Sequence, residues 1–90
     1  MINDDLKYIA NHYGLKHQLV KCKEELGELI KAIDSLDEKA IVEEIADVEI
    51  MTEQLKYLMR TEPSVEIYKE YKIARQLRRI AEEQSHECDN

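Results

Sequence analysis

The sequence has neither tryptophan nor phenylalanine, and only two glycines and one proline in 90 residues. Residues that favour strands and tight turns are therefore scarce, which argues against a β-rich fold and for helices. Cysteine is almost as rare. Cys22 lies within a helical pattern and Cys88 in a polar stretch near the C-terminus, with no CxxC and no histidine at zinc spacing, so both read as free thiols. Positive charge is also in deficit: 13 Lys and Arg stand against 20 Asp and Glu, for a net charge of -7. Such a surface repels phosphate backbones, which excludes non-specific binding to a nucleic-acid polymer. No apolar run approaches the roughly 18 residues that a membrane span needs, and the segment Met1-Ile2-Asn3-Asp4-Asp5 has no basic or apolar leader character. No membrane partner is expected, and the cytoplasm is the expected compartment.

What is present is enough for one small core. A chain of this length has too little interior to divide, so residues 1–84 are expected to form a single helical domain, with 85–90 a flexible polar tail. One core of this size is marginal on its own, and a partner subunit is expected to supplement it.

Helical spacing of Leu6, Ile9, Ala10 and Tyr13 predicts a first helix over about 3–13, closing on Gly14. The second, about 15–34, carries Leu15, Leu19, Cys22, Leu26, Leu29 and Ile33 at alternating steps of four and three. After Ser35-Leu36, Asp37 is a candidate N-cap for a third helix to about Arg60, with Ile41, Ile45, Val48, Thr52, Leu55 and Met59 at the same steps. Matching seams across a short break predict an antiparallel hairpin. Pro63 marks the start of a fourth helix, to about Glu83, with Ile67, Tyr71, Ala74, Leu77, Ile80 and Ala81 on its apolar side. The expected architecture is all-α, a four-helix bundle.

Chemistry concentrates in the hairpin. Helix two contains Glu24-Glu25-Leu26-Gly27-Glu28 and helix three Glu43-Glu44-Ile45-Ala46-Asp47. Carboxylates three apart stand one turn apart on one helical face, so Glu25 with Glu28, and Glu44 with Asp47, can each share a hard cation. Each of the four directly precedes a seam residue, so an antiparallel pairing can bring all four to one edge of the core. Unneutralised, they would repel one another, and all-oxygen ligation selects magnesium, manganese or calcium over zinc or copper. Gly27, costly inside a helix by about 1 kcal/mol, suggests close approach by another helix or a ligand.

The two acidic segments together resemble the EExxE and ExxD signature of the MazG-like, all-α nucleoside triphosphate pyrophosphohydrolases, with Tyr13-Gly14-Leu15-Lys16-His17-Gln18-Leu19 ahead of them also similar. The resemblance spans roughly Tyr13 to Leu58. It implies that Glu25, Glu28, Glu44 and Asp47 ligate Mg2+, with Mn2+ a substitute, and that Glu24 assists the catalytic water or supports the ligands. It also implies a bundle assembling as a homodimer or homotetramer, and hydrolysis of a nucleoside triphosphate at the α-phosphorus to a monophosphate and pyrophosphate.

Other residues are candidates for holding the substrate. Lys72, Arg75 and Arg79 form a basic stripe on the last helix, suited to phosphates but equally to pairing with Glu70, Glu82 and Glu83. His17 and Gln18 could meet a base or phosphate, Lys21 and Lys31 read as surface residues, and the five tyrosines as core or interface residues. Two rival readings stand beside the enzyme. A di-iron bundle needs two Glu-x-x-His motifs, and only Glu83-Gln84-Ser85-His86 exists. A non-catalytic helical assembly module needs only the seams and a charged exterior.

Overall fold

A computed structural model describes residues 2–88, and every regular element among them is a helix: α1 (Asp4–Ser35), α2 (Glu38–Met59) and α3 (Glu62–Cys88). Asn3 caps α1, its side-chain oxygen accepting from the Leu6 N–H at 2.8 Å, and Asp4 and Asp5 complement the positive end of the helix. At Gly14 the backbone leaves the helical region (φ 83°, ψ 166°), a conformation open in practice to glycine alone. The two helices expected on either side of Gly14 are therefore joined without a loop into one kinked element, so three helices stand where four were expected.

The hairpin turn is tight. Leu36, in the left-handed region, ends α1 by donating its N–H to the Ile33 carbonyl, and Asp37 caps α2 by accepting from Lys39 and Ala40, as its position predicts. Arg60, also left-handed, closes α2, and Pro63 falls in the first turn of α3, where its missing N–H costs nothing. The polar stretch from Ser85 is helical as far as Cys88. The rest of the expected tail, Asp89 and Asn90, lies outside the described residues, as do the side chains at 87 and 88 and hence the Cys88 thiol.

Helices α1 and α2 pack lengthwise, but not along the seam that the apolar pattern predicts. Leu15, Leu19, Leu26, Ile33, Ile45 and Met59 are all 37–50% exposed. The contact lines run instead through Gln18, Cys22, Glu25, Leu29 and Ala32 on α1, and Glu44, Val48, Met51, Leu55 and Leu58 on α2. On α1 the two lines share Cys22 and Leu29 and differ by a rotation of about 50°, half of one residue's angular step. Small side chains explain the choice: Ala10 and Ala32 are buried and let the helices approach, while the bulkier Leu15, Leu19, Leu26, Ile33 and Ile45 face outward. The rotation carries two carboxylates into the contact line. Gly27 needs no such approach within this chain, because a Cβ there would meet nothing within 4 Å.

Helix α3 packs on the end of α2 and not on α1. Lys56 pins the junction, lying 2.7 Å from Glu53 and 4.0 Å from Glu66, and the hydrogen bond to Glu53 holds its ammonium above the usual lysine range. The chain is elongated, 58 × 34 × 20 Å, with a radius of gyration of 17.4 Å. A compact domain of this length would have about 12 Å. No helix among the described residues is long and apolar enough to cross a membrane.

Candidate functional site

The contact line of the hairpin places Glu25 of α1 against Glu44 and Asp47 of α2, each offering a carboxylate oxygen within 4.8 Å of the others. Glu25 and Glu44 are half-buried because they lie on the contact line between the helices, and Asp47, one turn beyond Glu44, stands at the solvent edge. Three of the four residues proposed from sequence as ligands thus converge. Glu28 does not join them: it is exposed and turned to Lys31, 3.4 Å away.

The electrostatics of the trio are one-sided. Burial, then the charges of Asp47, Glu25, Glu28 and Glu43, push the Glu44 carboxyl above the ordinary glutamate value. Glu44 Oε2 is buried without a hydrogen-bond partner. The nearby cation is Lys21, 3.5 Å from both Glu24 and Glu25, whose side chains raise its pKa. Lys21 was read from sequence as a surface residue, and its place beside the trio follows from its position one turn before Glu25. Cys22, buried between Gln18 and Glu25 on the same line, has its thiol pushed up by burial and then by Glu25, so it stays protonated and serves as packing, not as a nucleophile.

Two helical turns from the trio, on both helices, the seam is polar again. Gln18 and Gln54 are 3% and 1% exposed, and Gln18 Nε2 donates to Gln54 Oε1 at 2.7 Å. Gln18 Oε1 in turn lies 2.7 Å from His17 Nδ1, and the His17 ring stacks on Tyr13, with centroids 4.7 Å apart and planes at 17°. These residues line a cavity of about 480 Å³ whose remaining walls are Ile9, Val20, Ile50 and Met51, with Lys21 and Glu24 at the end nearer the trio. Sequence reasoning reached His17 and Gln18 but missed Gln54. The apolar pattern runs through Thr52 and Leu55 and leaves Gln54 off the expected seam, so only its place two turns from Asp47, as Gln18 is two turns from Glu25, pointed to it.

The basic stripe is elsewhere. Lys72, Arg75 and Arg79 lie on α3, which does not pack on α1, so within one chain they are not brought to the carboxylates. Comparison with protein-family models, curated proteins and solved structures finds no match. The functional reading rests on the residues themselves.

Proposed function

We propose that the chain is a magnesium-dependent nucleotide pyrophosphohydrolase of the MazG-like kind, converting a nucleoside triphosphate to monophosphate and pyrophosphate in the cytoplasm. The observation that carries this reading is the meeting of Glu25, Glu44 and Asp47, from two separate acidic segments, around one point. The donor set fits a hard divalent cation: three carboxylates, one of them with a buried oxygen that no protein donor satisfies. Glu25, Glu44 and Asp47 would hold Mg2+, or Mn2+ in its place, with Glu28 able to join by releasing Lys31. The cation supplies charge neutralisation at phosphate oxygens and a polarised water.

The chain's own groups do the rest. Glu24, exposed at the cavity mouth, can accept a proton from an attacking water, while Lys21 is free to turn from Glu25 to a phosphate once Glu25 is otherwise neutralised. His17 and Gln18 face the organic part of the substrate. Lys72, Arg75 and Arg79 reach the phosphates only if α3 of one copy lies across the hairpin of another.

Surface area supports such an assembly. The chain exposes 7428 Å², against about 5,500 Å² for a compact monomer of this mass. The surplus of roughly 2,000 Å² per chain is what an obligate dimer interface covers. Two hairpins joined along their outward-facing leucine and isoleucine side chains would form a four-helix bundle between chains, as a homodimer or as half of a homotetramer. The same exposed faces favour the second reading, a non-catalytic assembly module.

The deciding experiment is pyrophosphate release from a panel of canonical and modified nucleoside triphosphates with Mg2+, beside Glu44→Gln. Release by the wild type and not by the variant is expected. A folded wild type that releases none, and whose thermal stability ignores Mg2+, would leave the assembly module as the reading.

A further inference from the structure

The cavity between Tyr13, His17, Gln18 and Gln54 has the size of a small-molecule pocket and a floor of two buried carboxamides, which apolar packing does not require. We propose that it takes the base of the nucleotide, and that it selects bases with an oxo group at the 4-position of a pyrimidine or the 6-position of a purine over their amino counterparts. This rests on the nucleotide reading above and adds the class of base.

The argument follows the hydrogen bonds. A carboxamide oxygen only accepts, so His17, 2.7 Å from Gln18 Oε1, carries its proton on Nδ1. Gln18 then spends one N–H on Gln54 Oε1. What remains is the second Nε2 hydrogen of Gln18 and both Nε2 hydrogens of Gln54, three donors without an acceptor among the described residues. These amide hydrogens keep enough access to meet water, and an entering oxo group takes that water's place as acceptor, whereas an amino group sets N–H against N–H. Uracil, thymine, hypoxanthine and guanine offer the acceptor at this edge, and cytosine and adenine the donor. The stacked Tyr13 and His17 rings supply an aromatic wall for a planar ligand. Two helical turns, about 10 Å, separate the amides from the carboxylate trio along the hairpin. A nucleotide lying in that direction places its base on the amides and its phosphates past Lys21, toward Glu25.

The test uses nucleosides alone, without metal or phosphate. Dissociation constants for inosine against adenosine, and uridine against cytidine, are read from NMR shift changes that include the Gln54 side-chain amide. The oxo member of each pair is expected to bind about tenfold tighter or better. In Gln54→Glu the bond from Gln18 is kept while the floor becomes an acceptor, and the preference is expected to reverse. Equal affinities within both pairs, no binding, or a preference that Gln54→Glu leaves unchanged each overturns the proposal. If Gln54→Glu does not fold, the wild-type pairs decide alone. Oxo-selective binding without pyrophosphate release would remove the enzyme and keep the pocket, and release without oxo selectivity would do the converse.

Discussion

Glu44 is the residue on which most turns. Its carboxyl is held up by burial and by Asp47, Glu25, Glu28 and Glu43, so the metal-free folded state keeps a proton that the unfolded chain has already lost. Stability therefore falls as pH rises from the ordinary glutamate value to the raised one, and stays lowered above it. Without metal, Glu44→Gln should melt at a higher temperature than wild type at neutral pH and show a flatter pH dependence. With saturating Mg2+ the order should reverse, because only the wild type gains stability by binding. Thermal melts across pH, in chelator and in Mg2+, check both. A second residue-level contrast follows from geometry: Glu25→Gln and Asp47→Asn should weaken Mg2+ binding more than Glu28→Gln, since Glu28 stands outside the trio and already pairs with Lys31. Isothermal titration of the three variants ranks them, and equal losses would mean that Glu28 swings in on binding.

At the scale of elements, the local signals were legible and the rotation of the helices was not. Asp37 as a cap, Gly14 as a break and Pro63 in a first turn each follow from one residue's backbone chemistry, and each appears where the sequence puts it. The contact face did not follow, because the apolar pattern marks where the large Leu and Ile side chains lie, while the contact within the chain went to the side with Ala10 and Ala32. For the same reason four carboxylates were expected at one edge and Glu25, Glu44 and Asp47 meet there without Glu28, while Gln18 was expected without its partner Gln54: charge spacing survives a 50° error, and a buried amide on an unsuspected face does not. The kink offers a clean test. A Cβ at Gly14 meets nothing within 4 Å, yet φ is +83°, so Gly14→Ala costs backbone strain alone. The expected loss is about 1–3 kcal/mol, or a fall in Tm on the order of 5 °C per kcal/mol. A calorimetric scan reads it, and an unchanged Tm would mean that α1 straightens through residue 14.

The whole molecule poses the largest imbalance: three long helices, one of which touches only the end of its neighbour, with Ile30, Val42, Ile67 and Leu77 each about 60% exposed. For a monomer, replacing so exposed a residue is close to neutral, within about 0.5 kcal/mol. For a dimer joined along these faces, Ile30→Glu places a charge in an apolar interface and should lower both the assembled mass and the Tm. The wild type should sediment at a multiple of its 10.6 kDa chain mass, with a Tm that rises with protein concentration, as it must when folding and association are linked. Sedimentation equilibrium with melts over a hundredfold concentration range separates the cases. A mass of one chain, with a concentration-independent Tm, would remove the dimer. It would also leave Lys72, Arg75 and Arg79 with no path to the carboxylates, so that any pyrophosphohydrolase activity would have to proceed with Lys21 as the basic group beside the trio.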